Sequence, residues 1–249
     1  MRQKDQKNLI FPLLDFAMEL EFGDFLFKPE IRKASDLKPV LAFPEKLTSD
    51  FEAYYMFRDI YETEEDRKKI IQANLRYDFT IIPPAEIGKE KVKTYGHYHP
   101  ENSHGETYPE IYQVIEGKAL FIIQRRERDR VIDCVVIEAG KGDLVVVPPN
   151  FGHVTINPTD EVLLTSNWVC RSFVSIYEPY TNLRGACYYY VDERWIKNPN
   201  YNESPPLKYG KPFGKMKEEM YCLVAEIEKL EFLSNPSRYS DVITKFWKK

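Results

Sequence analysis

The sequence predicts a mainly β protein whose many short strands form a sandwich or barrel. From about Tyr77 onwards, short runs rich in Val, Ile, Tyr and Phe recur, and Gly, Pro, Asn and Asp separate them. Short strands with turn residues at regular spacing are typical of these folds. The predicted strands are residues 77–82, 111–115, 119–124, 131–138, 144–147, 162–168, 173–177 and 186–191.

Helices are predicted on either side of this β region. Residues 64–75 carry acidic side chains before basic ones, an order that complements a helix dipole. Residues 196–214 are loop-like, with four prolines. Over residues 215–233, apolar side chains recur at spacings of four and three, which predicts one apolar face of a helix. Three segments follow: an N-terminal α/β extension (1–75) packing on the barrel, the barrel itself (76–195), and a C-terminal loop and helix (196–249).

Composition excludes several classes of partner. The net charge of −4 provides no general attraction for nucleic acid or anionic membranes. The four cysteines are scattered without a CxxC pair, which indicates free thiols in a reducing compartment. Asp15 and Glu19 interrupt an apolar stretch near residues 9–14, and no cleavage site follows, so we expect neither a signal peptide nor a membrane span. A cytoplasmic protein is therefore expected.

Three of the four histidines fall into one two-part pattern. His97 and His99 share one face of a strand, because successive side chains point to opposite faces, and Glu110 and Tyr112 share a face by the same rule. His153 follows a Pro-Pro turn and can reach the same point from across a barrel. Imidazole and carboxylate bind borderline transition metals, and this set leaves open positions on a six-coordinate ion. The pattern predicts a site for one divalent metal ion per subunit.

These residues resemble the two motifs of the cupin superfamily, roughly G-x5-H-x-H-x(3,4)-E-x6-G and G-x5-P-x-G-x2-H-x3-N. The second fits from Gly142 to Asn157, with Asn150 in place of a glycine. The first departs in two places: Lys91 stands where the motif has its initial glycine, and ten residues separate His99 from Glu110. The resemblance implies the cupin double-stranded β-helix, a jelly-roll barrel.

The insert at residues 100–109 leaves the carboxylate ligand open. Glu101, Glu106 or His104 could compete as ligand, but Glu110 is favoured because its distance to Gly117 matches the motif. His104 has the setting of a loop tip that could touch substrate or metal.

Within the cupins, the chain resembles the archaeal-type phosphoglucose isomerases. That family's T-x-G-H-x-H stands here at residues 94–99 and its E-x-Y at 110–112. Thr80, Pro83 and residues 88–90 fit its upstream segment, and residues 32–37 resemble its Arg-x-x-Ser-Asp-Met stretch. The resemblance is specific over residues 76–157 and looser over 30–191. It implies a metal-dependent isomerase that interconverts glucose 6-phosphate and fructose 6-phosphate.

The resemblance also implies roles for individual residues. The metal ligands are His97, His99, Glu110 and His153. Glu110 is also the family's base, and Tyr112 hydrogen-bonds the substrate in either an enediol or a hydride-shift mechanism. The phosphate is held by Thr80, Thr94, the Gly96 amide and an upstream tyrosine, Tyr54 or Tyr55, of which Tyr55 is the candidate. Both Thr94 and Gly96 serve the pocket of His97 and His99 only if the chain bends near Gly96.

The chain departs from the family after the second motif. The family has a tyrosine and then a Gly-His-x-Tyr stretch, whereas no histidine stands here. Arg184 or Arg171 could replace it as a phosphate or hydroxyl donor, because arginine forks suit phosphate. Tyr177 is a candidate for the family tyrosine.

The expected ion is Fe²⁺, with Mn²⁺, Ni²⁺ and Zn²⁺ as alternatives, and the expected assembly is a homodimer. Two other functions remain open. The same ligands serve other cupin enzymes, such as dioxygenases and sugar epimerases, and a non-catalytic sugar-binding cupin is the third possibility. The threonines on the phosphate side and Thr-x-Gly before His-x-His favour the isomerase.

Overall fold

The computed structural model describes residues 19–128 and 130–239 of the 249-residue chain. Most regular structure in these ranges is β, as predicted. The strands are β1 (Leu20–Phe22), β2 (Phe25–Phe27), β3 (Glu30–Lys33), β4 (Glu52–Phe57), β5 (Leu75–Ile82), β6 (Glu86–Ile87), β7 (Glu90–Lys91), β8 (Glu110–Glu116), β9 (Lys118–Glu127), β10 (Arg130–Gly140), β11 (Asp143–Val147), β12 (Phe151–Ile156), β13 (Leu163–Cys170), β14 (Tyr188–Val191), β15 (Arg194–Lys197), β16 (Lys208–Gly210) and β17 (Gly214–Lys215).

Helical segments are few and short. The α-helices are α1 (Glu64–Gln72), α2 (Glu178–Asn182) and α3 (Glu231–Ser234). The 3₁₀ segments are Ala34–Val40, Pro44–Lys46, Met220–Leu230 and Pro236–Arg238. None of the helices in the described ranges is long and apolar enough to span a membrane.

Two stacked sheets form the body of the fold. The main sheet has the order β17-β11-β8-β13-β5-β4-β3, and a second sheet has the order β12-β9-β10-β16. Side chains from both sheets pack in one core, for example Val114 and Val145 of the main sheet with Phe121 and Val135 of the second. The sheets do not close into a continuous barrel, but their stacking agrees with the predicted jelly roll.

The main sheet is buried on both faces, and strand alternation sorts its residues between them. On β5, Tyr77, Phe79 and Ile81 lie in an outer apolar cluster. The residues between them, Asp78 and Thr80, face the second sheet. We call these two sides the outer face and the inner face of the main sheet.

Each predicted strand overlaps an observed strand except residues 173–177, where the prediction is wrong. Only Ile176 pairs there, through a single bridge to Tyr98. The segment lies across the site instead, with the Phe173 ring 4.4 Å from the His99 ring. Val174 is 84% exposed, so no sheet covers this run and its apolar composition misleads.

The helix predicted at residues 64–75 is confirmed as α1 over residues 64–72, whereas Leu75 already begins β5. The Thr63 hydroxyl caps it by accepting the Asp66 N–H at 3.1 Å. The continuous helix predicted over 215–233 is wrong in form, because the chain instead makes a 3₁₀ segment, broken at Glu226 (φ −132°), and then α3. Its apolar side chains still cover the outer face, so tertiary packing rather than helix propensity decides the backbone.

Part of the N-terminal region continues the main sheet. Strand β4 pairs with β5, and β3 pairs with β4 at the sheet edge. Residues 30–57 therefore contribute to the inner face beside the central strands. The three-segment division at 75/76 and 195/196 stays a prediction, and its parts at residues 1–18 and 240–249 lie outside the described ranges.

Candidate metal centre

Three structural elements bring the predicted ligands together. His97 and His99 lie between β7 and β8, Glu110 is the first residue of β8, and His153 lies on β12. The His97 and His153 backbones pair directly, with N···O distances of 3.3 and 3.1 Å. One ligand atom from each of the four side chains lies within 4.8 Å of every other. This group could hold a metal ion.

Hydrogen bonding shows which atoms face the centre. The Nδ1 of His99 lies 2.7 Å from the Tyr108 carbonyl oxygen, which can only accept, so Nδ1 carries the proton. The Nε2 of His99 therefore presents a lone pair. It lies 3.1 Å from the Nε2 of His97 and 3.3 Å from the Oε2 of Glu110. Lone pairs that converge in this way fit a cation at their centre.

Burial keeps the imidazoles of His97 and His153 neutral. It lowers the pKa of His97 well below its ordinary value, and the neighbouring His153 adds to the effect. Burial also lowers the pKa of His153, to about 4. Burial alone would raise the pKa of Glu110, but the hydrogen bond to His99 is the largest of several effects that outweigh it and lower the pKa. Neutral imidazoles and an ionised carboxylate are the protonation states that metal binding requires.

Two further side chains orient the group. The Asn167 Nδ2 donates to the Oε1 of Glu110 at 2.7 Å, which leaves Oε2 facing the histidines. The Tyr112 hydroxyl lies 2.9 Å from the Nε2 of His153. Asn167 was not predicted from the sequence, although three consecutive polar residues (165–167) in a strand otherwise rich in apolar residues were a signal for it.

The insert leaves Glu110 as the carboxylate of the group. Neither Glu101, His104 nor Glu106 belongs to the four-residue cluster. Asn102 ties the insert into a turn, because its side-chain oxygen accepts the N–H groups of His104 and Glu106 at 2.8 and 3.1 Å.

The segment before His97 bends at Gly96. Its φ of +85° suits glycine, and a Cβ there would lie 2.6 Å from a Val154 methyl carbon. The bend interrupts strand alternation, so Thr94 and His97 can serve one pocket, as the predicted roles require. The Thr94 hydroxyl accepts the Thr155 N–H at 3.0 Å, and Thr80 lies half-buried on the inner face of β5.

The prediction that Tyr55 binds the phosphate is wrong, because its side chain points away from the site. It lies on the outer face of β4, and its hydroxyl donates to Glu52 at 2.6 Å. Tyr54 faces inward, because neighbouring residues of a strand point to opposite sides. The Tyr54 hydroxyl accepts the Tyr95 N–H at 3.3 Å, between Thr94 and Gly96.

The residues after the second motif are divided between site and periphery. Tyr177 is brought to the site, with its ring 5.7 Å from the His97 ring. Arg171 is occupied elsewhere, since it donates to Asp59 at 2.6 Å and to the Leu75 carbonyl at 3.2 Å. Arg184 is exposed at the turn after α2, where its φ is +57°, and its charge acts on Tyr189. A role for Arg184 stays a prediction.

A cluster of arginines on the inner face was not predicted from the sequence. Asp78 is 2% exposed and accepts from Arg58 at 3.1 Å and from Arg76 at 2.9 Å. Both guanidinium charges act on His97. Arg32, on β3, lies beyond Tyr54. The alternation of Arg76, Asp78 and Thr80 along β5 was the sequence signal for part of this cluster.

The stacked sheets and the histidine–glutamate group define a jelly-roll protein with a candidate metal centre. A family model described as Glucose-6-phosphate isomerase (GPI) matches residues 31–206, well over half of the chain, so the protein belongs to this family.

Curated relatives agree with this assignment. The glucose-6-phosphate isomerases of Thermococcus onnurineus and Thermococcus kodakarensis are each 31% identical over 138 residues, covering 54% of this chain and 65% of theirs. That of Pyrococcus furiosus is 28% identical over 153 residues, covering 59% and 74%. The chain thus matches slightly less than two thirds of the length of the two Thermococcus proteins. Oxalate decarboxylase from Bacillus subtilis overlaps 50% of this chain and 28% of its own, with 18% identity and a TM-score of 0.34, which is too low to add to the assignment.

Proposed function

We propose that the protein is a metal-dependent glucose-6-phosphate isomerase that interconverts glucose 6-phosphate and fructose 6-phosphate. The observation that carries this proposal is the convergence of His97, His99, His153 and Glu110 on one point of the inner face. Inner-face hydroxyls beside that point suit a polyhydroxylated substrate, and family membership supports the same reaction.

The reaction moves a hydrogen between C1 and C2 of an open-chain sugar. When bound, a divalent ion at this group supplies a Lewis acid and a template for two neighbouring sugar oxygens. The protein's part is to hold the ligands ready. Asn167 fixes the Glu110 carboxylate, and the Tyr108 carbonyl fixes the His99 ring.

Tyr112 is proposed as a hydrogen-bond donor to the substrate. Burial raises the pKa of Tyr112 well above its ordinary value, and the charge of Glu110 adds to the effect. The phenol therefore keeps its proton and can donate to a sugar oxygen as negative charge develops there. Glu110 is proposed as ligand and, by resemblance to the family, as base. Its lowered pKa makes it a weak base, which favours a hydride shift over an enediol route.

Thr80, Thr94 and the Gly96 amide are proposed to bind the phosphate, with Tyr54 in place of Tyr55. Fe²⁺ is the proposed ion. Three imidazoles with one carboxylate suit Fe²⁺, and they also suit the alternatives Mn²⁺, Ni²⁺ and Zn²⁺. We further propose a cytoplasmic homodimer with no nucleic-acid partner. Free thiols at Cys134, Cys170 and Cys187, all buried, support a reducing compartment.

Chelation and metal replacement test the proposal. Protein stripped with a chelator should lose fructose 6-phosphate turnover and regain it with Fe²⁺, Mn²⁺, Ni²⁺ or Zn²⁺. Glu110→Gln should weaken metal binding at least about 10-fold, because one ligand of four is neutralised. The matched control, Glu106→Gln in the insert, should keep the metal and the activity.

Two results would contradict the proposal. Turnover that is absent with every metal, in protein that binds one equivalent, would rule out the isomerase. Oxygen consumption with a sugar under those conditions would identify an oxygenase instead. Equal losses in the two glutamate variants would remove the assignment of Glu110.

A further inference from the structure

We infer that Arg32 supplies the positive charge that recognises the substrate phosphate, and that Thr165 adds a hydroxyl to the same subsite. This inference rests on the proposed function, and it names two residues outside the predicted phosphate set. Apart from Arg184, which is exposed at the turn after α2, the predicted set consists of neutral groups: the hydroxyls of Thr80 and Thr94, a tyrosine, and the Gly96 amide. A phosphate dianion is bound more strongly where a cation joins such donors.

Strand register places Arg32 at the end of the inner face where the predicted phosphate residues Tyr54 and Thr80 lie. Arg32 pairs with Tyr54 across β3 and β4, and Met56 pairs with Thr80 across β4 and β5. Tyr54 and Met56 share the inner face, so Tyr54 and Thr80 are diagonal neighbours. The Tyr54 hydroxyl also accepts the N–H of Tyr95, which lies between Thr94 and Gly96. The register thus places Arg32 beside Tyr54, which is a diagonal neighbour of Thr80 and bonds the backbone between Thr94 and Gly96.

The surroundings of Arg32 leave its charge available. Its positive charge acts on the Tyr54 hydroxyl, and its guanidinium carbon lies 5.7 Å from the centre of the Tyr95 ring. Within the described ranges, no ion pair joins Arg32 to a carboxylate. Arg58 and Arg76, the other inner-face arginines, both donate to Asp78. Arg32 is therefore the inner-face arginine that a ligand anion can engage with both branches of its fork.

Thr165 carries an independent signal at the same place. It is 1% exposed, and its hydroxyl has no hydrogen-bond partner among the described residues. It pairs directly with Thr80 across β13 and β5, so both hydroxyls lie on the inner face. A buried hydroxyl without a partner costs stability, and a bound ligand oxygen would satisfy it.

Binding of an unreactive sugar phosphate tests this without relying on turnover. The probe is glucitol 6-phosphate, measured by calorimetry on the metal-loaded protein, with unphosphorylated glucitol alongside. Arg32→Gln should weaken glucitol 6-phosphate binding about 10- to 100-fold, the range expected for hydrogen bonds to a charged group. Arg32→Lys should recover part of the loss, because it keeps the charge without the fork. Thr165→Val, of similar shape, should weaken binding about 5- to 10-fold.

Lys33→Gln is the matched control, because it removes an exposed cation from the same strand. It should bind the probe as the wild type does, and thermal unfolding should show that all variants fold. Unchanged probe affinity in folded Arg32→Gln would overturn the inference even if isomerase activity is intact. Affinity that depends on Arg32 in a protein without isomerase activity would uphold the subsite and reject the proposed function. Equal losses in Arg32→Gln and Lys33→Gln would reduce the effect to general charge and also overturn the inference.

Discussion

The two buried faces of the main sheet are built from the same strands but differ in kind. The outer face is a cluster of large apolar side chains, including Phe57, Phe79 and Trp168, which the C-terminal segment covers with Met220 and Tyr221. The inner face carries Glu110, which is the glutamate of the candidate ligand group, together with arginines and hydroxyl groups. Both faces contain fully buried side chains, so burial alone does not separate stability from function. The comparison suggests that outer-face changes alter folding, whereas inner-face changes alter binding.

The largest effect is expected from His99→Ala on the inner side. Loss of one imidazole should reduce the metal content to near zero and isomerase activity by roughly 10³-fold, since a bound ion contributes several kcal/mol to such reactions. Metal analysis and turnover of the folded variant measure this. A chelator should lower the unfolding temperature of the wild type but not of His99→Ala, because only a bound ion stabilises the native state.

The control for that experiment is His104→Ala. His104 is exposed in the insert and lies outside the ligand group. Its removal should leave metal content unchanged. A normal metal content in His99→Ala would contradict the assignment of His99 as a ligand, and with it the expectation that inner-face changes alter binding.

The next effect is expected from Phe79→Ala on the outer face. The Phe79 ring is fully buried, 5.6 Å from the rings of Phe22 and Tyr77. Its truncation should reduce the free energy of unfolding by about 3 to 5 kcal/mol, through lost burial and the cavity left behind. Urea unfolding measures the loss, and Phe79→Leu should lose less. Metal content per folded molecule should stay at one equivalent, and a fall in it would show that the faces are coupled.

The smallest effect is expected from Glu219→Gln on the outer face, where the change in the free energy of unfolding should depend on pH. Burial raises the pKa of Glu219 to about 7, and the Tyr77 hydroxyl donates to its carboxylate at 2.9 Å. The native state therefore holds a proton that the unfolded state releases, so this residue's contribution to stability is lost as pH rises from about 4.5 to 7. Glu219→Gln should stabilise the protein by about 1 to 2 kcal/mol at pH 8 and by almost nothing at pH 4. Urea unfolding at both pH values measures this, and equal effects at both would contradict it.

The metal end of the inner face could be predicted because its information is local. His97 and His99 are two residues apart, and Glu110 and His153 stand at motif distances from glycines. Strand alternation then suffices to aim the side chains at one point. The short apolar runs between turn residues placed most strands correctly, because strands buried on both faces consist almost entirely of apolar residues.

The anion end was predicted less well because it depends on register between distant strands. Tyr54 and Tyr55 are adjacent in the sequence, and only the pairing of β4 with β5 shows which of them faces inward. Arg32 becomes relevant only through its pairing with Tyr54, and Thr165 through its pairing with Thr80. Residues 173–177 have the composition of a strand, but the structure offers them no neighbouring sheet.

The position of β3 at the edge of the main sheet separates two kinds of change in this protein. The ligands of the candidate metal centre lie on β8, on β12 and in the segment between β7 and β8, away from that edge. An edge strand has one neighbour, so its sequence can vary with little effect on the rest of the sheet. A related protein could therefore exchange the charge at position 32 and accept a different anion while keeping the same reaction chemistry. Variation in β3 among relatives should thus follow the substrate, whereas the histidines should follow the reaction.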